Sequence, residues 1–507
     1  MDRKWWTLIV VSIATFMLLL DITIVNVALP AIERDLNANF ADLQWVIDAY
    51  ALTLAAMLLT GGSLADLYGR RLVFVIGIAI FTVASLLCAL AGTPTMLNLA
   101  RALQGIGGAF MFATALALLA SAYQGRDRGT AFGIWGAVTG ASVAVGPLVG
   151  GVLVDGISWE AIFVVNIPIG IGTIALALAQ VEESHAPSGG RVDWPGLLTF
   201  SGGLFALIFG LIRGNPEGWG SPLIVACLAA AVVLGVAFLL AERASDHPML
   251  DLSLFSKPAF DGASIAAFVL SASMFSMFLY LTLYIQNILG YTPLESGLRF
   301  LPVTLLSFIV APISGKLAER VGIRWFLGAG LACVGIGLLL MRGLEPGDDW
   351  TALLAGFLVA GGGIGLTNPA LATAAVGVVE PQRAGMASGI NSTFRQVGIA
   401  TGIAALGAIF QHVVASNFIE GAHGRLPRGV DGSAAADFVS FGGFRQLHNA
   451  ALTRLAEQSF VDGLNDILLY AGLLAFVGAI LAAVLTRPGD FVAHGAPPPA
   501  AEQPVAA

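Results

Sequence analysis

Gly62-Ser-Leu-Ala-Asp-Leu-Tyr-Gly69 is repeated later in the chain as Gly315-Lys-Leu-Ala-Glu-Arg-Val-Gly322. In both copies a glycine, a leucine, an alanine, an acid and a final glycine occupy the same places, and the copies are 253 residues apart. Each copy lies in a short break between long apolar runs. Such a repeat predicts two halves with the same topology, as in transporters built from two helical bundles.

The composition is that of a membrane protein. Of the 507 residues, 57% are hydrophobic and 11% are charged, whereas soluble domains average roughly 25% charged residues. The mean hydropathy is +0.85. A window of about 19 residues finds fourteen apolar runs that are long enough to cross a bilayer, and runs this continuous form helices rather than barrel strands. They begin near Trp5, Leu43, Leu72, Thr95, Gly129, Ala161, Pro195, Pro222, Ala263, Leu298, Arg324, Thr351, Gly385 and Leu464. We therefore predict an all-α membrane protein with fourteen transmembrane helices.

The repeat divides these helices into two sets. We predict a six-helix bundle over residues 1–185, an inserted helix pair over 186–245 and a second six-helix bundle over 246–487. Residues 416–462 form a long extracellular loop in this prediction. The Ala- and Pro-rich residues 488–507 are expected to be a disordered cytoplasmic tail.

Basic residues predict the orientation of the chain. They gather at the start, at Arg3 and Lys4, and in every second loop, which places both termini in the cytoplasm of a cell that carries the protein in its inner or plasma membrane. The long loop contains apolar residues at helical spacing, which predict an amphipathic helix on the outer surface. These residues are Phe444, Leu447, Ala451, Leu452 and Leu455. A cover for the outer mouth and a plain interfacial helix both fit this pattern.

Further motifs carry a resemblance to a known family. The first is Leu20-Asp21-Ile-Thr-Ile-Val-Asn-Val-Ala-Leu-Pro30, and the others are Arg101-Ala-Leu-Gln-Gly105, the span containing Gly133, Ser142, Gly146-Pro147 and Gly150, and Trp159 with Asn166-Ile-Pro168. Together with the loop Gly62 to Arg71, they resemble the motifs of the fourteen-span drug:proton antiporters of the major facilitator superfamily, the EmrB/QacA-type multidrug efflux family. The resemblance covers essentially the whole chain. It implies the major facilitator fold of two six-helix bundles with two inserted linker helices, and it specifies the family better than the cargo.

Three charged residues are predicted within the membrane. Asp21 is the only charge in the apolar run from Trp5 to Leu29, and an aspartate at the centre of a span costs on the order of 2.5 to 3.5 kcal/mol. At 1.5 Å per residue, Asp21, Asp48 and Arg101 each lie ~8 to 12 Å from the outer surface, so we expect them to share one cavity. Because burial raises the pKa of a carboxylate and a nearby arginine lowers it, a carboxylate that faces the two sides in turn can carry protons. We therefore assign proton coupling to Asp21, Arg101 and Asp48. Two alternatives remain. Arg101 could serve only to hold Asp21 or a backbone carbonyl in place, and Asp48 could be a solvated acid near the membrane interface.

Two further sets of residues are candidates for cargo binding and for gating. The setting of Asp48 resembles that of quaternary-ammonium exporters, in which this acid contributes to cation recognition, and the ninth span adds aromatic, thioether and amide groups that suit flat lipophilic cations. The predicted cargo-binding residues are Asp48, Met274, Phe275, Phe278, Tyr280, Tyr284, Gln286 and Asn287. Ordinary packing explains any single one of the span residues equally well.

The loop motif is expected to hold one state of the bundles through charge contacts between helix ends, with Asp127 as a partner for Arg70. The gating set is Gly62, Asp66, Gly69, Arg70, Arg71, Asp127, Gly315, Glu319 and Gly322. If the motif served only to fix the membrane orientation, its arginines would be enough. The presence of Gly62, Asp66 and Gly69 therefore favours a role in gating. Gly133, Gly146, Pro147 and Gly150 are expected to pack the fifth span closely against a neighbour.

Absent motifs exclude other classes. The only lysines are Lys4, Lys257 and Lys316, none followed by Ser or Thr, so ATP is not the direct driver. The histidines lie in loops, at a span end or in the tail, which predicts no metal centre, and we find no nucleophile and base pair of an enzyme. The acidic net charge of −8 argues against nucleic acid.

The sequence therefore predicts a proton-coupled exporter of lipophilic, cationic drugs or antibiotics. It is expected to work as a monomer in the lipid bilayer, driven by the proton gradient and without a cofactor. Its partners are the lipophilic small molecule and the proton. The alternatives are a dedicated exporter of one metabolite or lipid by the same mechanism, and a transport-inactive membrane scaffold or sensor.

Overall fold

The computed structural model describes residues 2–38, 40–123, 126–184, 193–245, 250, 252–379, 384–422, 439 and 449–491. In these ranges all regular structure is helical, as the continuous apolar runs predict. The first half contains α1 (Arg3–Leu36), α2 (Phe40–Tyr68), α3 (Arg70–Ala89), α4 (Pro94–Ala122), α5 (Arg126–Gly156), α6 (Ala161–Val164) and α7 (Asn166–Gln180). The inserted pair is α8 (Trp194–Glu217) and α9 (Pro222–Ala244).

The second half repeats the arrangement with one irregular span. Its helices are α10 (Pro258–Leu270), α11 (Ser276–Leu283), α12 (Pro293–Arg299), α13 (Leu301–Val321), α14 (Ile323–Leu340), α15 (Leu354–Gly377), α16 (Ala384–Gly421) and α17 (Ala450–Leu485). The π-helical turn Ser271–Phe275 joins α10 to α11, and a second π-helical turn, Tyr284–Ile288, follows α11. Together they form the single span Pro258–Ile288.

The residues that the structure describes form fourteen long helical segments. Thirteen in the described ranges have both the length and the hydropathy of a membrane span. The fourteenth is α5, which is 31 residues long. Large apolar side chains such as Leu198, Val232 and Ile480 are 65–67% exposed, because the outer faces of these helices suit lipid rather than water.

The repeat in the sequence is also a repeat in the backbone. Gly69 separates α2 from α3 and Gly322 separates α13 from α14, with φ angles of 118° and 107°. Such positive φ values suit glycine because a Cβ atom would be strained there. The two glycines are therefore retained for the same sharp change of direction in both halves.

The contacts between the two halves include two close pairs of helices. A side chain at Gly315 of α13 would collide with the carbonyl oxygen of Gly129 of α5, and a Cβ at Gly389 of α16 would lie 3.0 Å from the Leu58 oxygen of α2. Both contacts lie on the side of the molecule where α1 begins and α17 ends, which we call the terminal side and define by Arg3, Asp66, Met386 and Asp490. The halves are in contact on this side.

Two predicted boundaries are wrong. The loop predicted at 416–462 is shorter, because α16 continues to Gly421 and α17 begins at Ala450. Leu452 is buried and Leu455 packs against Gly421, so Ala451, Leu452 and Leu455 belong to the start of a long spanning helix and not to a separate surface helix. Phe444 and Leu447 lie outside the described residues.

The predicted tail begins with folded residues. Pro488–Asp490 forms a 3-10 turn, and the Asp490 carboxylate accepts a hydrogen bond from the Ala259 N–H at 2.9 Å. A carboxylate at the N-terminus of α10 is stabilised by the free N–H groups there. Residues 492–507 of the predicted tail lie outside the described residues.

Candidate functional site

Asp21 lies in the interior of the first bundle and is 1% exposed. Its Oδ2 forms an ion pair with Nη1 of Arg101. Its Oδ1 accepts hydrogen bonds from Gln104 Nε2 at 2.8 Å and from Asn166 Nδ2 at 3.1 Å. The carboxylate on α1 thus contacts groups on α4 and α7, and movement of any one of these helices would change its surroundings.

Arg101 is held on several sides. Its Nε donates to the Val46 oxygen at 3.0 Å and its Nη1 donates to Gln104 Oε1 at 2.6 Å. The guanidinium carbon lies 4.3 Å from the centre of the Tyr50 ring, a cation–π distance. Burying the Arg101 cation costs free energy. The Asp21 carboxylate, the hydrogen-bond acceptors and the Tyr50 ring together offset this cost.

Gln104, Asn166 and Tyr50 were not predicted as site residues. Gln104 and Asn166 were visible as members of the quoted motifs Arg101 to Gly105 and Asn166 to Pro168. Their amide groups can donate and accept at once, which is the property that a buried ion pair needs from its neighbours. Polar residues inside apolar runs were the signal that could have found them.

Asp48 does not share this site, contrary to the prediction. Asp48 and Tyr50 are two residues apart on α2, so they point about 200° apart around the helix, and Tyr50 is the one that faces Arg101. The charged group near Asp48 is Arg213 of α8, which is itself paired with Glu217 at 2.6 Å. The Asp48 Oδ2 is buried and has no hydrogen-bond partner among the described residues. Asp48 thus lies at the contact between the first bundle and the inserted pair.

The loop motif joins the two halves through Asp66. Oδ1 of Asp66 accepts from Arg70 Nε and Nη2 at 3.1 and 2.9 Å, and Oδ2 accepts from the Met386 N–H at 2.9 Å. Met386 lies in the first turn of α16, where N–H groups have no partner within the helix. Asp66 therefore caps a helix of the opposite half on the terminal side.

Gly62, Gly69 and Arg71 of the loop motif allow close packing on the terminal side. Gly62 is buried in α2, and at Gly69 a side chain would collide with the Glu183 carboxylate. That carboxylate accepts from the Arg71 N–H at 2.9 Å. The side chain of Glu319 in the second copy lies outside the described part of the chain.

Asp127 pairs with Lys4 at 2.7 Å, and the predicted pair with Arg70 is wrong. Asp66, one turn before Arg70, satisfies the Arg70 guanidinium instead. Asp127 and Lys4 are both within the first half, so their contact does not join the bundles.

The glycines of the fifth span give α5 close contacts on two sides. A side chain at Gly146 would collide with Thr23 of α1, and one at Gly150 would lie 3.0 Å from Ile24. Toward its other end, a Cβ at Gly133 would lie 2.8 Å from Pro312 of α13. The side chain of Pro147 is outside the described residues. Helix α5 therefore connects α1, next to Asp21, with the opposite half.

The ninth-span residues fall into two groups. Met274, Tyr280 and Tyr284 pack in the core of the second bundle, and the Tyr280 hydroxyl donates to the Ile403 oxygen at 3.0 Å. Phe275, Phe278, Gln286 and Asn287 are half-buried. All but Phe278 and Tyr280 lie in the two π-helical turns, a feature frequent at functional sites.

One further buried charge, Arg395, was not predicted as a site residue. Arg395 of α16 is 8% exposed, its Nη1 donates to Asn368 Oδ1 at 3.3 Å, and its guanidinium carbon lies 5.5 Å from the centre of the Phe275 ring. As a lone charge in an apolar run, it carried the same signal as Asp21. Among the described residues, no group of three or more His, Cys, Asp or Glu side chains is arranged to hold a metal ion.

Comparison with known proteins agrees with these features. Residues 11–403 match the model of the Major Facilitator Superfamily. The multidrug resistance protein Stp of Mycobacterium tuberculosis is 35% identical over 477 residues, which cover 92% of this chain and 89% of that protein. The tetracenomycin C resistance and export protein of Streptomyces glaucescens is 33% identical, covering 96% and 92%. The puromycin resistance protein of Streptomyces alboniger is 36% identical, covering 85% and 86%.

A solved structure has the same fold. The human organic anion transporter MFSD10 superimposes with a TM-score of 0.64 over 95% of this chain and all of that chain. Its sequence identity is 13%, so the likeness concerns the fold alone.

Proposed function

The chain belongs to the major facilitator superfamily, and from that premise we propose that it exports lipophilic drugs or antibiotics across the cell membrane in exchange for protons. Members of this superfamily are transporters and not enzymes. The curated relatives named above are resistance and export proteins, which supports drug efflux by this chain.

The observation that carries proton coupling is the buried pair of Asp21 and Arg101. A proton on Asp21 removes the negative charge and leaves Arg101 without its counter-charge, and loss of the proton restores the pair. Because the pair is 1% exposed on both residues, this change acts in surroundings of low polarity, where charge interactions are strong. Protonation therefore alters the contacts that hold α1, α4 and α7 together.

Helix α5 supplies a route from this change to the contact between the halves. It touches α1 at Thr23, two residues after Asp21, and it touches α13 at Pro312. A shift of α1 is passed along α5 as a rigid element to the terminal side, where α5 and α13 meet. The two bundles then rock and expose the cargo cavity to the other side of the membrane.

Lipophilicity, rather than positive charge, is the cargo property that this proposal uses. The prediction of a cationic cargo relies partly on Asp48 beside Asp21 and Arg101, whereas Asp48 lies on a face of α2 turned away from that pair and near Arg213 of α8. Asp48 remains a candidate for cation recognition only if cargo reaches the contact between α2 and α8.

Uptake of the dye Hoechst 33342 into inside-out vesicles tests the proposal. With an acidic interior, the wild-type chain should accumulate the dye, and nigericin, which removes the pH gradient, should abolish the accumulation. Asp21→Asn with Arg101→Gln should abolish gradient-driven uptake. Glu33→Gln, which changes an exposed acid of the same helix, should leave it intact. Wild-type rates in the double variant would overturn the assignment of proton coupling to this pair.

A further inference from the structure

We propose that Arg395 and Asn368 form a binding site for an acidic group of the transported molecule. The site lies in the second bundle, with Arg395 on α16 and Asn368 on α15. The inference rests on the proposed export function and adds to it the chemical class of the cargo, an aromatic or otherwise lipophilic acid.

The first observation is a buried charge without a counter-charge. Arg395 is 8% exposed and makes no ion pair with any residue that the structure describes. The comparable arginine of the first bundle, Arg101, is paired with Asp21. Because an unpaired buried cation is costly and intramembrane charges are kept for function, Arg395 is expected to meet its negative partner in a ligand.

The second observation is that two buried amide groups near Arg395 have N–H donors without a hydrogen-bond partner among the described residues. Asn368 is 2% exposed, its oxygen accepts from Arg395, and its Nδ2 is buried with no hydrogen-bond partner in the described part of the chain. Asn391 lies one turn before Arg395 on α16, is 2% exposed, and also has an unpartnered Nδ2. A guanidinium and two amide N–H groups complement a carboxylate, phenolate or sulfonate, which only accept.

The third observation is the position of the site. A Cβ at Gly136 of α5 would lie 3.4 Å from the Cβ of Asn368, so the site lies where the second bundle meets the first and not on the lipid-facing surface. Cargo that passes between the bundles would reach this position.

The fourth observation is the aromatic neighbour. The Phe275 ring lies 5.5 Å from the Arg395 guanidinium and belongs to the first π-helical turn of the ninth span. A flat ligand with an acidic group can place its ring against Phe275 and its charge against Arg395, because guanidinium groups bind both anions and aromatic faces.

The charges elsewhere at membrane depth agree with this assignment. Asp21 is paired with Arg101. Among the buried side chains that the structure describes in the second bundle, Arg395 is the charged one.

Equilibrium binding of two related dyes tests the site. Fluorescein is an anion and rhodamine 123 is a cation, and both have the same three-ring frame. Fluorescence anisotropy with the purified full-length chain in detergent should show that Arg395→Gln weakens fluorescein binding roughly ten- to a hundredfold, the effect of losing hydrogen bonds to a charged group. Rhodamine 123 binding should not weaken.

Two further variants guard against a folding defect. Asn368→Asp has nearly the same shape and gives Arg395 an internal carboxylate, so it should fold and should lose fluorescein binding in the same selective way. Arg320→Gln, which changes an exposed arginine of α13, should leave both affinities unchanged. Fluorescein binding that survives both Arg395→Gln and Asn368→Asp, or an equal loss for both dyes, would overturn the proposal.

The measurement needs no pH gradient. A failure of Asp21 to control uptake would therefore contradict proton coupling while leaving the dye result intact. Conversely, loss of the anion site would leave gradient-driven uptake of Hoechst 33342 untouched.

Discussion

Asp21 and Arg101 are buried as a pair, so removing one charge should cost more than removing both. Asp21→Asn leaves a buried guanidinium without its carboxylate, and we expect it to lower the free energy of unfolding by about 3 to 5 kcal/mol. The double variant with Arg101→Gln removes both charges, keeps amides that can hydrogen-bond, and should recover most of this loss. Thermal unfolding in detergent, followed by tryptophan fluorescence, measures the difference. A single variant as stable as the wild type would show that the pair is not energetically coupled.

Asp66 uses both carboxylate oxygens, one for Arg70 and one for the Met386 N–H of the opposite half. Asp66→Asn has one acceptor oxygen and no charge, so it cannot serve both partners. Hydrogen bonds to charged groups contribute about 1.5 to 3 kcal/mol, enough to shift a two-state equilibrium toward opening of the terminal side.

Spin labels at Tyr68 and Trp325, exposed positions in the two halves, can report this opening once Cys227 and Cys333 have been replaced by Ala. The distance between the labels should increase in Asp66→Asn. Asp127→Asn is the matched control, because its partner Lys4 lies in the same half and the pair is largely exposed. An equal change of the label distance in both variants would show that Asp66 does not specifically hold the terminal side closed.

At the scale of elements, the contact between α5 and α13 depends on glycine at position 315. Gly315→Ala places a methyl group against the Gly129 carbonyl oxygen, which belongs to the backbone and cannot rotate away. We expect the two helices to separate on the terminal side and the initial rate of dye uptake to fall strongly.

Gly172→Ala in α7 is the control for this change, because a Cβ there meets nothing within 4 Å. It should leave uptake unchanged, since alanine also favours helix over glycine. Normal uptake in Gly315→Ala would mean that the close approach of α5 and α13 is not used in transport.

The helices and the repeat could be predicted because apolar length and the copied loop motif are local properties of the sequence. The pair of Asp21 and Arg101 was accessible for a related reason, since two opposite charges within membrane spans each need a partner. The position of Asp48 was not, because it depends on the rotation of α2 about its own axis. The partner of Asp127 depends on which of several surface cations lies nearest after folding. Arg395 could have been found by the argument used for Asp21.

At the scale of the whole molecule, the inserted helix α8 lies across the seam between the halves. The Thr60 and Ser201 hydroxyls are 3.1 Å apart, which joins α8 to α2, and Asn215 Nδ2 donates to the Ala404 oxygen of α16 at 3.1 Å. If the bundles move relative to each other, α8 cannot keep its contact with α2 and its contact with α16 at the same time. Its ring contacts favour the first half, because Trp45 of α2 packs against Phe209 and Arg213 of α8.

We therefore expect α8 to move with the first bundle. A disulfide between Thr60→Cys and Ser201→Cys would fix α8 to α2 and should leave dye uptake intact. A disulfide between Asn215→Cys and Gly407→Cys, where a Cβ at Gly407 lies 3.1 Å from Asn215 Nδ2, would tie α8 to α16 and should stop uptake until a reducing agent is added. The same vesicles before and after reduction serve as their own control. The reverse pattern would show that α8 travels with the second bundle, and inhibition by neither disulfide would show that the seam under α8 does not open during transport.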